Sequence, residues 1–422
     1  MLNTPFAPWP AFSEAEIDAV QRVLRSGKVN YWTGDECRHF EHEFARWCGT
    51  KHAIATANGT VALDLALHGL GIGAGDEVIV TPRTFMASVS CVVNAGAIPV
   101  FADVDANSGN LTAETIARVL SPRTRAVVCV HLAGWPCDMD PIMTLARKHG
   151  LKVIEDCAQA HGARYKGRSV GSIGDVGAWS FCQDKIMTTG GEGGMVTTHD
   201  EALWRTMWSY KDHGKSYAAV CEQPQSPGFR WLHESFGTNW RLTEMQAAIG
   251  RIQLQQLPSW TAARHAHATA LHRALKPFAG GAIRQPLFEF DGQTPADTPT
   301  ACGVAPRQTI HAQYKFYTYV RPEGLARGWT RDQLIDAINA EGVPCYSGSC
   351  SEVYRERAFD ATGWRPAGGL PVARELGRTS LMFLVHPTLT PDQVQASCNA
   401  IAKVLVRASA DATQETAYEH SA

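Results

Sequence analysis

Asp175-Val-Gly-Ala-Trp-Ser-Phe-Cys-Gln-Asp-Lys185-Ile-Met-Thr-Thr-Gly-Gly-Glu-Gly-Gly194 carries an apolar run, Ala178 to Phe181, into a few polar residues and a single lysine. The chain then enters the glycines Gly190, Gly191, Gly193 and Gly194. Glycine lets backbone approach a ligand closely or take a positive φ where side chains would collide. Lys185 is therefore held between two stiff flanks, a setting for a lysine presented into a pocket rather than to bulk water.

Upstream of this stretch, strand and helix alternate. Strands are predicted at 77–80, 99–101, 126–130 and 152–156, and helices at 84–96, 112–120 and 138–149. Continuous apolar strands separated by helices indicate an α/β fold with a mainly parallel sheet covered on both faces. Ligands of such sheets collect at the carboxyl ends of the strands, which puts Asp156 and the pair Thr84-Phe85 in functional positions.

Further upstream, Lys51-His-Ala-Ile-Ala-Thr-Ala-Asn-Gly59-Thr60 reads as a short strand, a tight turn at Asn58-Gly59 and a helix from about Thr60. The first amides of a helix lack internal partners and carry the positive end of its dipole, so a phosphate suits that position. Before it come a helix over 12–27 and another near 35–48. The stripe Phe40, Phe44, Trp47 of the second is read as core.

Downstream, 239–258 is predicted as a long amphipathic helix ended by Pro258, with a second helix over 260–275 after a kink. In the C-terminal part, 312–321 and 342–347 read as strands and 330–341, 371–377 and 391–406 as helices. Residues 287–308 read as a loop or insertion. The polar tail 407–422 is expected to be disordered.

At 422 residues the chain has room for two domains. A net charge of −2 gives no reason to expect nucleic acid or an anionic membrane as partner. The N-terminus lacks a secretory pattern and no apolar run is long enough to span a bilayer, so a cytoplasmic location is expected. The twelve cysteines are scattered, with no Cys-x-x-Cys pair, and read as reduced small hydrophobes rather than a zinc site. No metal ligands are assigned.

A phosphate turn at Gly59-Thr60, a strand-end carboxylate at Asp156 and a pocket lysine at Lys185 are together what pyridoxal 5′-phosphate (PLP) needs: a cradle, a partner for the ring nitrogen and a Schiff-base lysine. The chain resembles the DegT/DnrJ/EryC1/StrS family of PLP-dependent sugar aminotransferases over about residues 8–405. The motifs are Asn58-Gly-Thr-Val-Ala-Leu63, Ile154-Glu-Asp-Cys-Ala-Gln-Ala-His-Gly-Ala163, Ser180-Phe181 with Lys185 and its glycines, and Gly237-Thr-Asn-Trp-Arg-Leu-Thr-Glu-Met-Gln-Ala-Ala-Ile-Gly250.

The resemblance implies a fold-type I PLP-transferase. Its large PLP-binding domain, residues 1–250, would have a mainly parallel, seven-stranded-type sheet, and a smaller C-terminal α+β domain would follow at 251–406. It implies that Lys185 is the covalent partner of PLP and its acid/base, and that Asp156 pairs with the pyridinium. By the same carry-over Gln159 lies near the ring, Phe85 stacks on it, and Gly59, Thr60 and Ser180 hold the phosphate. Gln183 stands where the family more often has Asn or His, and it inherits the phosphate contact expected there or leaves it unmade. Asn239 would reach the phosphate of a neighbouring subunit, making a homodimer with composite sites. His161 is given a structural role.

Relatives that dehydrate sugars carry histidine in place of the lysine, so Lys185 argues for transamination. The resemblance implies ping-pong transfer from an amino acid, L-glutamate in the family, to a nucleotide-linked keto-deoxysugar. Alternatives are a cyclitol or aminoshikimate-type ketone, or a non-catalytic PLP-binding regulatory protein. Val343-Pro-Cys-Tyr-Ser-Gly-Ser-Cys-Ser-Glu-Val-Tyr354 departs from the family form, leaving Tyr346, Ser349, Cys350 and Glu352 as candidates for the acceptor wall.

Overall fold

The computed structural model describes residues 6–223, 229–287 and 309–410. Most of the 287–308 segment and nearly all of the 407–422 tail lie outside the described residues.

Among the described residues nine strands precede the long central helix: β1 (His52–Thr56), β2 (Glu77–Val80), β3 (Ile98–Phe101), β4 (Thr124–Val130), β5 (Lys152–Asp156), β6 (Arg164–Tyr165), β7 (Arg168–Ser169), β8 (Val176–Ser180) and β9 (Gly194–Thr198). Strands β6 and β7 form a separate two-stranded sheet, with Arg164 of β6 also bridged to Ile310. The rest form one seven-stranded sheet in the order β1-β9-β8-β5-β4-β2-β3. Strand β9 runs antiparallel to both neighbours, and every other pair is parallel. Alternate residues of the apolar strands feed opposite covers. Val78, Val80, Val128 and Ile154 pack with the helix Gly59–Gly69, while Ile79, Val127 and Val153 pack with the helix Met139–His149. A sheet buried on both faces needs such unbroken apolar strands.

Four further strands, β10 (Ile283–Arg284), β11 (Phe316–Val320), β12 (Cys345–Tyr346) and β13 (Ser380–Phe383), make an antiparallel sheet in the order β10-β11-β13-β12. The helices Arg331–Ala340 and Pro391–Ala408 cover it through Leu334, Ile338, Ile401 and Val404. The described chain is thus an α/β unit with a mostly parallel seven-stranded sheet, joined to a small antiparallel one.

The helix expected over 239–258 begins five residues later and does not stop at Pro258. One helix runs Glu244–Leu275 with Pro258 inside it. It starts at 244 because Thr243 and Gln246 form a capping box, and residues 239–242 are consumed in single bridges, Asn239 to Asp212 and Arg241 to Thr56. It survives Pro258 because packing holds both sides: Ala247, Leu254 and Leu257 sit in the large-sheet core, and Ala268, Leu271 and Leu275 in the small-sheet core. A division of the chain at residue 250 falls within this helix. Phe40 and Phe44 are fully buried, as core, with Trp47 packed against them.

Candidate active site

A cleft of about 540 Å³ opens between the two sheets. The large-sheet side supplies Thr84, Phe85, Met86, Gln159, Asp184 and Lys185. Tyr314, Lys315, Tyr317, Tyr346, Ser349 and Cys350 face them from the other side.

Lys185 follows β8 in a loop pinned at its backbone. Its N–H donates to the Cys182 carbonyl at 3.0 Å, and its own carbonyl accepts from the Trp9 indole at 2.8 Å. The Nζ lies 3.3 Å from Asp184 Oδ1 and 5.5 Å from the ring centre of Tyr314, whose hydroxyl donates to Asp184 Oδ2 at 2.5 Å. Burial works against a charge on Asp184. Lys185, the Tyr314 hydroxyl and Lys315 outweigh it and hold the carboxyl below its ordinary range. The glycines then let the chain double back: Gly191 has φ +122°, and a Cβ on Gly194 would come within 2.3 Å of the Asn58 carbonyl oxygen. That approach sets the lysine loop beside the turn at Asn58.

At that turn the Asn58 side chain accepts from Val61 N–H at 3.0 Å, and its carbonyl accepts from Ala62 N–H at 3.2 Å. The amides of Gly59 and Thr60 find no acceptor among the described residues. A Cβ on Gly59 would lie 2.5 Å from that of Ser180, so this helix start rests directly on the end of β8. The Ser180 hydroxyl accepts from Cys182 N–H at 3.3 Å, and its proton has no acceptor among the described residues. Unspent neutral donors at the positive end of an eleven-residue helix fit a phosphate dianion.

Asp156 ends β5, buried, two hydrogen bonds behind the cleft wall. Thr84 Oγ1 and Ser88 Oγ are 2.8 Å apart, and Ser88 donates to Asp156 Oδ2 at 2.7 Å, while Ala158 N–H serves Oδ1 at 3.1 Å. Among the described residues no side-chain cation pairs with Asp156, which fits a carboxylate awaiting a protonated ring nitrogen. Gln159 accepts from Ala133 N–H at 2.8 Å, leaving its amide NH2 for the cleft. Phe85 is 72% exposed, a large apolar ring left open on the cleft wall and suited to lie against a planar ligand.

Six of the expected residues do not line this cleft: Gly59, Thr60, Ser180 and the buried Asp156, described above, and two more that are exposed. Gln183 is exposed, with its N–H spent on the Gly191 carbonyl at 2.9 Å, and Asn239 is exposed on the surface. Neither lines the cleft. Of the four candidates in 343–354, Tyr346, Ser349 and Cys350 line it. Glu352 belongs to a neighbouring cleft of about 360 Å³ with Arg355, Arg374 and Arg378.

His161 is fully buried between the rings of Trp179 and Phe181, at 5.2 and 5.6 Å. Burial, with Lys185 and Arg264, pushes it down to about 3, so it is neutral at physiological pH. His131, Glu155 and Cys157 are close enough to share a metal ion, but His131 and Glu155 are already engaged in hydrogen bonds. Glu155 accepts from His131 Nε2 at 3.0 Å and from the amides of Gly171, Ile173 and Gly174, and His131 Nδ1 accepts from Cys137 N–H.

The sequence reading missed Tyr314, Lys315 and Tyr317, and quoted Asp184 without a role. The period-two pattern running from Lys315 into β11 carried the signal. Lys315 and Tyr317 lie on one face and Phe316 on the other, in the small-sheet core.

The DegT/DnrJ/EryC1/StrS aminotransferase family model matches residues 10–402. GDP-perosamine synthase of Caulobacter vibrioides is 37% identical over 371 residues, 87% of this chain and 89% of its own. The dTDP-3-amino-3,4,6-trideoxy-alpha-D-glucose transaminase of Streptomyces venezuelae is 36% identical over 406 residues, 94% of this chain and 96% of its own. An X-ray structure of the aminotransferase from Psychrobacter cryohalolentis is 63% identical with a TM-score of 0.90, covering 95% of this chain and 99% of that one.

Proposed function

Since the chain belongs to the DegT/DnrJ/EryC1/StrS aminotransferase family of sugar aminotransferases, we propose that it carries PLP on Lys185 and moves an amino group from an amino acid, L-glutamate, to a keto group of a nucleotide-linked deoxysugar. The observation that carries the reading is Lys185 in one cleft with the open ring of Phe85 and Gln159, with Asp156 two hydrogen bonds behind the wall and the unspent donors of Gly59, Thr60 and Ser180 packed together at the end of the strand that leads into the lysine loop. The nucleotide-linked sugar rests on the names of the two curated relatives, which specify GDP- and dTDP-linked products.

PLP supplies an electron sink for the pair released when a substrate Cα loses its proton. Gly59, Thr60 and Ser180 would hold its phosphate. Phe85 and Gln159 would orient the ring, and Asp156, itself aligned by Ser88 and Ala158, would keep the ring nitrogen protonated. Lys185, once released, carries the proton to and from the substrate carbon, with Asp184 and Tyr314 beside its Nζ to steer it. Phe229, Trp231 and Phe236, which precede Asn239 in sequence, are 80, 85 and 99% exposed. We read this surface as one face of a homodimer in which Asn239 serves the partner's site.

The test is spectroscopic. Protein loaded with PLP should show a bound-cofactor absorption that L-glutamate bleaches and a nucleotide keto-sugar restores, with the aminated sugar identified by mass spectrometry. A band that no amino donor moves would favour the regulatory reading.

A further inference from the structure

Among the described residues, one cation of the cleft lining has no carboxylate within 4.0 Å. Asp184 spends Oδ2 on the Tyr314 hydroxyl and Oδ1 on Lys185. Lys315 projects into the same cleft, its Nζ 4.8 Å from the ring centre of Tyr314 and on no carboxylate within 4.0 Å among the described residues. Glu356, the other acid of the lining, also makes no ion pair with it among the described residues. Burial, with Arg264 and Lys185, pushes the Lys315 ammonium down to about 8 against the pull of Asp184. A half-buried ammonium short of an anion is costly, and a carboxylate brought by a ligand would relieve the cost.

Both ammonium groups lie within 6 Å of the centre of the Tyr314 ring and line the same cleft, so one ligand in that cleft can address both. An amino donor needs this, because its α-carboxylate is bonded to the carbon that must be presented to Lys185. A keto-sugar has no carboxylate at its reacting carbon, so the shared cleft must grip the donor with a group that the acceptor can leave unused.

We propose, resting on the aminotransferase reading, that Lys315 is the binding residue for the α-carboxylate of the amino donor. Lys315 then separates the two halves of the reaction, serving the donor, while Tyr346, Ser349 and Cys350 remain for the acceptor.

The experiment follows each half-reaction by the absorption of the bound cofactor. In PLP-loaded Lys315→Gln the L-glutamate concentration for half-maximal bleaching should rise about tenfold or more, the worth of one charge-assisted hydrogen bond. Lys315→Arg should recover most of the loss. The acceptor half-reaction, started from the pyridoxamine form, should shift by less than threefold. Maleate, a dicarboxylate without an amino group, gives a readout free of turnover: its Kd by calorimetry should weaken in Lys315→Gln while PLP retention holds.

An unchanged half-saturation for glutamate overturns the assignment and leaves the aminotransferase reading intact. A loss confined to the acceptor arm also overturns it, by giving Lys315 to the sugar's phosphates. If wild-type protein bleaches with no amino donor yet loses maleate binding in Lys315→Gln, the proposed function falls and the carboxylate site stands.

Discussion

Lys185 offers the amine on which the proposed chemistry depends, and its backbone is pinned at both ends independently of that amine. Lys185→Ala should therefore keep the fold and lose at least about a thousandfold in turnover. Borohydride treatment followed by mass spectrometry would then find no cofactor on the chain, and retained multiple turnover would sink the assignment. Ser88 is a subtler case, a positioning residue whose hydroxyl, among the described residues, hydrogen-bonds only Asp156 and Thr84. Ser88→Ala removes a hydrogen bond to a buried carboxylate, worth about 1.5 kcal/mol or more, and should slow the donor half-reaction about tenfold. An unchanged rate would remove Ser88 from the site. His161 yields a pH argument. Its pKa is about 3 in the folded protein, below the ordinary value near 6.5, so from pH 6.5 down to 3 the unfolded chain binds a proton that the folded one refuses. Stability must fall with acid over that window, by roughly 2–3 kcal/mol between pH 6.5 and 4.5 from this group. His161→Phe keeps an aromatic between Trp179 and Phe181 and should lose that part of the slope. Urea titrations at pH 7 and 4.5 check it, and equal slopes in both proteins would refute it.

Among the elements, the long helix Glu244–Leu275 shows where local rules end. Its start is a local matter: Thr243 N–H reaches Gln246 Oε1 at 3.1 Å, and the Thr243 side chain accepts from Gln246 N–H at 3.4 Å. Thr243→Ala should cost about 1 kcal/mol, read as a lower urea midpoint with an unchanged m-value. An unshifted midpoint would mean that tertiary packing alone places the helix start. The cap was present in the sequence, inside a span read as helix from 239, because the amphipathic pattern continues upstream of it. What stops the helix there is pairing of Asn239 and Arg241 with residues 212 and 56, which no local pattern encodes. Pro258 argued for a break, and packing on two cores overrode it. The parallel strands β2 to β5 were legible from their unbroken apolar runs, whereas β10 and β13, short and paired only across the small sheet, were not. The same division holds for the site. Asp156, Lys185 and the Gly59 turn stand in local motifs. Lys315 and Tyr317 acquire meaning only when residues 130 positions away are folded against them.

For the whole molecule, two features remain unspent within one chain. Asn239 stands exposed and away from the cleft, five residues before the long helix, and Phe229, Trp231 and Phe236 expose three large rings close to it in sequence. Open aromatic area of that size is usually covered in the working assembly. If a second copy covers it and Asn239 crosses into the partner's site, each cleft is built from two chains, and damage to one chain's Lys185 and to the other's Asn239 falls in the same cleft of a mixed dimer. In a dimer of Lys185→Ala with Asn239→Ala, one cleft carries both lesions and the other carries neither. Each variant alone should be inactive or poor at retaining PLP. Mixed and allowed to exchange subunits, they should recover about a quarter of wild-type activity, since half the dimers are mixed and each has one sound cleft of two. Trp231→Ala combined with Phe236→Ala should shift the assembly toward monomer by light scattering and reduce PLP retention with it. Recovery in the mixture ties the surface to the cleft. No recovery from variants shown to exchange subunits would return Asn239 to an ordinary surface position and confine the site to a single chain.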